Sequence, residues 1–570
     1  MAVLDLSVSC LLLMFVCFSA THVKAQDFNV TVPGVGEIQG REELVTYRDT
    51  TQSAVATFRG IPYAEPPVGQ LRFAKPVPKA GFTAPFQAFE FGPMCPQPLQ
   101  GLHVESEDCL HLSVFVPAAH LRATDTTTDP LPVYVWIHGG AFVTGSGDKD
   151  VRYLVTFGNI IVVTMNYRLG ALGFLTTLDQ EAPGNYGLWD QRLALQWVKA
   201  NIRAFGGDPD KITIGGSSAG GFSVSFQALH AGNEGLFHRF IAESGNAISV
   251  TKHRDYAANY TSILGVRLGC DTTTSRAIVS CLRQKNYTDI IGDLGALLPQ
   301  EPFDLPFGPA EDNDFFTENP TDLIKWPPSK AGLESIKSRD VMLGTTSAEG
   351  SVSYNMWVTY LAMSFGENSR AGVSKQLFDA IAKGLLTSQK EHPDQEVVDA
   401  MEYEYTDWDD PENSTTLAQS TVDLLTDKHW FVPNVIFSRN HALNNNETGT
   451  YLFEFDLNVG NSKLPWLHGA PHVAYDRYVW GAHGNDKEWE LSKVFMTYWS
   501  NFIKTGNPNS PLPVKEQWLP FDVENEHYLY VDDDVISTRK HCKAKRTDFW
   551  LDYVPRVKAA AQRGSRPCAT

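Results

Sequence analysis

Lys211-Ile212-Thr213-Ile214-Gly215-Gly216-Ser217-Ser218-Ala219-Gly220-Gly221-Phe222 decides how this chain reads. Residues 211–214 form a short apolar, β-like run, and a helical stretch follows Ala219. Between them, Gly216-Ser217-Ser218-Ala219-Gly220 fits G-x-S-x-G, the sharp elbow between a strand and a helix. Side chains two places before and after the central serine would collide in so tight a turn, so glycine stands at both. Only Ser218 is framed in this way; Ser217 is not. The turn pushes the Ser218 hydroxyl out at the end of the strand. An unassisted hydroxyl is a poor nucleophile, so the motif requires partners elsewhere in the chain.

Apolar, β-branched runs recur at 133–137, 160–165, 239–242, 341–344 and 451–455, with helical stretches such as 191–205 between them. This alternation predicts a mostly parallel sheet covered on both faces. Residues 28–44 alternate more like an exposed antiparallel hairpin. Residues 125–132, rich in Thr and Asp, read as a surface loop. There is no internal repeat and no dividing linker. A single large α/β domain is expected, with a central, mostly parallel sheet flanked by helices.

The 570 residues are 43% hydrophobic and 20% charged, enough for a large core. A net charge of −19 argues against a nucleic-acid partner, because phosphate backbones call for basic patches. Residues 6–20 are apolar but too short for a comfortable membrane span. With the small-residue pattern Val23-Lys24-Ala25 they predict a signal peptide at 1–25 and a mature chain at 26–570. The leader carries Asp5 and no Lys or Arg, and cleavage after Ala20 is the alternative. No later segment is apolar enough to span a membrane, and the polar residues 562–570 do not read as a lipid-anchor tail. A secreted protein is expected.

Of eight cysteines, Cys10 and Cys17 leave with the leader and six remain, an even number suited to an oxidising compartment. Cys95 and Cys109 can close a small loop, as can Cys270 and Cys281. A loop of about 15 residues is stabilised by roughly 3 kcal/mol in the chain-entropy view. Cys542 and Cys568 are left either to pair with each other or for Cys568 to link two chains. None has zinc-ligand spacing, and no metal is expected. Asn29, Asn259, Asn286, Asn413 and Asn446 head N-x-S/T sequons, as in a glycoprotein.

Further segments carry a resemblance. They are Phe58-Arg59-Gly60-Ile61-Pro62-Tyr63-Ala64-Glu65-Pro66-Pro67, Ser106-Glu107-Asp108-Cys109-Leu110, His138-Gly139-Gly140-Ala141-Phe142, Asn166-Tyr167-Arg168-Leu169-Gly170 and Tyr498-Trp499-Ser500-Asn501-Phe502. With the Ser218 elbow, in this order, they resemble the type-B carboxylesterase/cholinesterase family from about residue 28 to beyond 520. The resemblance implies an α/β-hydrolase fold that cleaves small-molecule carboxylic esters without a cofactor.

It also implies roles. The N–H groups of Gly140, Ala141 and Ala219 form an oxyanion hole, where glycines let the backbone approach a developing alkoxide. Ala141 stands where many relatives have a third glycine. The family pattern G-x-x-x-x-E-G appears as Gly344-Thr345-Thr346-Ser347-Ala348-Glu349-Gly350, which makes Glu349 the acid that orients the base. Asp312 and Asp314 are its rivals. His472 and His468 compete for the base. The family histidine lies nine residues before a Gly that follows an aromatic, and His472 with Trp480-Gly481 fits that frame. Val473-Ala474-Tyr475-Asp476, however, lacks the family's usual Gly and Glu. The order Ser218, Glu349, His472 suits this fold. Arg72 with Glu107 and Arg168 with Asp190 match structural ion pairs of the family, and Ser244 matches a serine behind the triad.

The same family includes adhesion and scaffold proteins with an inactive hydrolase domain, typically lacking a triad member. A cholinesterase, a lipase and a juvenile-hormone-type esterase are further alternatives. Cholinesterases carry a tryptophan between the first two disulfide cysteines, where it packs on a quaternary ammonium. Residues 96–108 contain no aromatic except His103, and Ser217 replaces the usual Glu before the nucleophile. Both departures favour a general carboxylesterase.

Overall fold

Val133, Val135 and Ile137 turn to one face of a sheet, while Tyr134 and Trp136 turn to the other. That is the period-two consequence of the pleat, and it sorts the two apolar clusters that pack on the sheet. The computed structural model describes residues 27–564 other than 99–103, 124–128, 250–253, 295–304, 317–318, 321–335, 388–394, 446–447, 459–463 and 482–483. The leader, residues 125–128 of the Thr/Asp-rich patch, His103, Asn446 and Cys568 lie outside the described residues; Leu131 and Pro132, expected in that loop, already belong to a strand.

The strands among these residues are β1 (Asp27–Val32), β2 (Gly36–Thr46), β3 (Gln52–Pro62), β4 (Phe86–Gln87), β5 (His111–Pro117), β6 (Leu131–Ile137), β7 (Ile161–Met165), β8 (Gly207–Ser217), β9 (Arg239–Glu243), β10 (Asp340–Thr346), β11 (Thr450–Phe455), β12 (Tyr528–Val531) and β13 (Ile536–Arg539). They join one sheet in the order β1-β2-β3-β5-β7-β6-β8-β9-β10-β11-β12-β13, with β4 beside β2. From β7 through β12 every neighbouring pair is parallel. The β1–β2 hairpin is antiparallel, and so are the pairs leading on to β7. This is the expected single large domain, with a mostly parallel central sheet that agrees with the α/β-hydrolase fold implied by the resemblance.

Helices cover both faces. The face of Val133 and Val135 packs on α2 (Tyr186–Asn201), α3 (Ala219–Leu229) and α7 (Val432–Asn444). The opposite face packs on α1 (Arg152–Gly158) and α8 (Asp486–Thr505), through Leu154, Phe495, Met496, Trp499 and Phe502. Local signals set the ends of α8. Asn485 and Glu488 form a reciprocal capping box, and Gly506 ends the helix at φ 78°. A third apolar cluster joins α4 (Lys375–Thr387), α5 (Gln395–Tyr405) and α6 (Ser414–Thr426) to Ala348 and Tyr354, next to the turn after β10. Helix α2 starts five residues before the expected stretch, and its last turn tightens into a 3-10 turn at Ile202–Phe205.

Cys95 bonds Cys109 and Cys270 bonds Cys281. Arg72 ties these two regions together. Its guanidinium donates to both oxygens of Glu107, at 2.7 and 2.5 Å, and to the carbonyls of Leu282 and Lys285. Of the two remaining cysteines, Cys568 lies outside the described residues, and Cys542 is not half of a disulfide. Cys542 is a free, buried thiol that donates to Glu454 Oε2 at 3.3 Å. Burial and that carboxylate raise the thiol well above its usual range, so it packs as a small neutral group.

Candidate active site

Parallel strands release their chains at one edge of the sheet. The turns after β6, β8, β9 and β10 therefore crowd together, with the segment beyond β11 beside them. Ser218 follows β8, Ser244 follows β9, Glu349 follows β10 and His472 lies beyond β11.

At the turn after β8, Ser218 has φ 58° and ψ −125°, a conformation that side-chain-bearing residues rarely adopt. Its N–H donates to Glu243 O and its carbonyl accepts from Phe222 N–H, which fixes the turn between strand and helix. A Cβ at Gly216 would lie 2.4 Å from Ile137 O, and one at Gly220 only 2.1 Å from the same oxygen. Glycine is required at both places because β6 passes against the elbow. Ser217 is buried, whereas Ser218 is partly open to solvent.

The turn after β6 presses on the elbow. A Cβ on Gly139 would come within 3.1 Å of Ser218 Cβ. Gly140, Ala141 and Phe142 follow at φ 111°, 54° and 60°, three positive values in succession. The N–H groups of Val143 and Thr144 both donate to Gly140 O. Among the described residues no backbone bond consumes the N–H of Gly140 or Ala141. Ala219 opens α3, where the first N–H groups have no intrahelical acceptor and the dipole favours negative charge. In the left-handed region alanine costs about 1 kcal/mol or more that a glycine avoids.

His138 supports this turn. It stacks on Tyr167 at 4.3 Å, and Tyr167 Oη donates to His138 O at 2.9 Å. The next residue, Arg168, holds Asp190 on α2 through Nε and Nη2 at 2.7 and 2.6 Å, both side chains buried. Breaking a buried pair of this kind typically costs about 3–5 kcal/mol, the weight of a large core truncation.

Glu349 is fully buried. Its Oε1 accepts from Thr346 N–H at 2.7 Å and from Ser244 Oγ at 2.5 Å. Its Oε2 accepts from His472 Nδ1. An ionised carboxylate can only accept, so His472 carries its proton on Nδ1 and leaves Nε2 as a lone pair. That Nε2 is buried and has no partner among the described residues. No hydrogen bond joins it to Ser218 in this structure; such bonds are often long before substrate arrives. The structure does not bring His468 to this carboxylate. His468 is exposed, and its backbone N–H donates to Gln419 Oε1. Asp312 and Asp314 also stand apart. Asp312 accepts from Asn185 Nδ2 and two backbone N–H groups, and Asp314 pairs with Lys75.

Two neighbours carry no sequence motif. Trp430 sets its ring 5.7 Å from the His472 ring, edge to face, from a wide turn at Asp427–Phe431 that joins α6 to α7. Tyr475 Oη lies 2.6 Å from Ser244 Oγ. Among the described residues no three His, Cys, Asp or Glu side chains group as a metal-ligand set. No helix there is long and apolar enough to cross a membrane.

Residues 26–550 match the Carboxylesterase family. The chain is 34% identical over 529 residues to an acetylcholinesterase of Bungarus fasciatus, covering 88% of this chain and 83% of that one. It is 32% identical over 596 residues to neuroligin-2 of Mus musculus, covering 93% of this chain and 68% of the other. Neuroligin-3 of the same organism is 31% identical, covering 88% and 66%.

Proposed function

The chain belongs to the carboxylesterase family, and on that premise we propose that it hydrolyses carboxylic esters by acyl transfer through Ser218. His472 Nε2 takes the serine proton as Oγ bonds to the ester carbonyl carbon. The N–H groups of Gly140, Ala141 and Ala219 receive the oxyanion. Collapse breaks the bond to the alcohol, which leaves with the proton from His472. Water then repeats the cycle on the acyl-enzyme and frees the acid. Glu349 holds the imidazole in the tautomer this needs and stabilises its charged form.

One observation carries this reading. A fully buried carboxylate grips His472 Nδ1 while the opposite nitrogen is left unpaired, at the edge of the sheet where Ser218 is thrust outward. Membership of the family does not by itself decide activity, since the relatives include proteins named neuroligins as well as an acetylcholinesterase. The adhesion reading predicts no turnover. A hydrolysis panel on purified protein, varying acyl length and alcohol, separates the two. Turnover lost on Ser218→Ala supports the proposal, and no turnover on any ester defeats it.

We favour a general carboxylesterase over a choline-ester hydrolase. The 96–108 segment supplies no tryptophan for a cation–π contact, worth about 2 kcal/mol when desolvated. Tyr354 is fully buried, with its hydroxyl on Ser369 O and its ring edge-on to Trp466 at 5.0 Å, so it offers no open face to a cation. Acetylthiocholine should therefore be a poorer substrate than an uncharged short thioester. Removal of residues 1–25 and secretion are part of the same proposal. They are supported by the two disulfides and by the exposure of Asn29, Asn259 and Asn286; Asn413 is less open and caps α6.

A further inference from the structure

We propose that Tyr475 is a positioning residue for the acid–base pair, acting on Glu349 through Ser244. This rests on the esterase reading above and extends it.

Counting protons fixes the direction of the chain. Ser244 has one hydroxyl hydrogen, and the Glu349 carboxylate, which has none to give, claims it at 2.5 Å. The 2.6 Å contact between Ser244 Oγ and Tyr475 Oη must then be donated by the tyrosine. The order is Tyr475 to Ser244 to Glu349, with His472 on the other carboxylate oxygen. A hydroxyl that accepts one hydrogen bond donates its own more strongly.

The backbone and the core hold this geometry. Ser244 sits at φ 50°, with its N–H on Gly344 O of the next strand. Val473, between His472 and Tyr475, is held at φ 60°, a genuine outlier for a β-branched residue. The Tyr475 ring is fully buried and meets Phe453 and Phe455 edge-on at 5.1 and 5.9 Å.

The charges facing this tyrosine keep its proton in place. Burial raises the phenol well above its usual range, and Glu243, Glu349 and Asp476 all oppose its ionisation. Burial likewise raises Glu243 well above the carboxylate range. Asp476 is paired with Lys149 at 2.6 Å. The tyrosine therefore acts as a fixed neutral donor. Removing it leaves Glu349 less satisfied and more attractive to a proton on His472, so the imidazole should hold its charge to higher pH.

The test is a double-mutant cycle read on the acid limb of kcat/KM. Tyr475→Phe keeps the ring, and its acid limb is expected to rise by about half a pH unit, roughly threefold in proton affinity. Ser244→Ala should move the limb further in the same direction. Adding Tyr475→Phe to Ser244→Ala should move it no more, because the tyrosine has lost its only route. A limb that stays put in Tyr475→Phe, or equal shifts in both backgrounds, overturns the proposal. If the wild-type protein turns over no ester, the esterase reading fails separately. The His472 imidazole titration, followed by NMR with ring-labelled histidine in the same variants, then tests the proposal by the same shifts. A Ser244→Ala variant that does not fold is replaced by Ser244→Gly, which also lacks the hydroxyl and suits the positive φ at that position; a Tyr475→Phe shift of the same size with and without the serine hydroxyl overturns the proposal.

Discussion

Glu349 and His472 meet across 123 residues of sequence, with Nδ1 of the imidazole donating to a carboxylate that has no exposure to solvent. A carboxamide in that place can present its NH₂ to the ring and favour the wrong tautomer. Glu349→Gln is therefore expected to fold normally and lose roughly 10⁴ in kcat. Steady-state kinetics beside a thermal melt checks this. Full activity would hand the role to another acid, and Asp312 is poorly placed to take it because Asn185 and two backbone N–H groups already occupy it.

The two histidines four residues apart should behave differently. His472→Gln is expected to abolish turnover, while His468→Gln, which alters an exposed side chain, should leave most of it. Comparable activity in the two variants would mean that neither is the base.

Val473 gives a stability test. Its φ of 60° costs about 1–3 kcal/mol for a β-branched side chain. Val473→Gly relieves that strain but loses a half-buried side chain and about 0.5–1 kcal/mol of backbone entropy. These effects oppose one another, so urea unfolding should place the variant within about 1 kcal/mol of the parent. A loss of several kcal/mol would show that the strained backbone is not what the structure describes.

What the sequence reveals here divides by range. The Ser218 elbow is legible because its constraint is local: β6 runs past Gly216 and Gly220 too closely for any Cβ, so glycines mark the turn. The parallel centre is legible because strands covered on both faces need unbroken apolar runs. Trp430 and Tyr475 leave no such mark. Each acts through a contact remote in sequence; the segment 473–476 after His472 reads only as a departure from the family pattern and does not point to Ser244. Val473 and Ala141 read in the sequence as departures from a family pattern. The structure shows that both keep the glycine-like backbone and bear its strain. For Cys542 the sequence offers only parity, which does not distinguish a core thiol from half of a disulfide.

Acid should weaken the fold through buried neutral histidines. Burial pushes His138 and His441 down to about 4. His441 needs to stay neutral, with Nε2–H donating to Ile336 O and Nδ1 accepting from Thr450. Because the folded values lie below the unfolded one near 6.5, the stability tied to neutrality is whole above about pH 6.5. It is lost progressively as pH falls from there to 4, on the order of 3 kcal/mol for each. Urea midpoints between pH 7.5 and 4 should fall accordingly. In His441→Gln the deficit relative to the parent should narrow towards pH 4; a constant deficit would mean His441 is not held neutral.

The most direct test of the account is covalent labelling of the intact protein with an organophosphate, followed by peptide mapping. Ser217 and Ser218 are adjacent, but only Ser218 is turned outward from the elbow, with His472 free to accept its proton. A single phosphoryl group on Ser218, lost in Ser218→Ala together with on the order of 10⁶ in kcat, is the expected result. Label on Ser217, or undiminished turnover in Ser218→Ala, would contradict it.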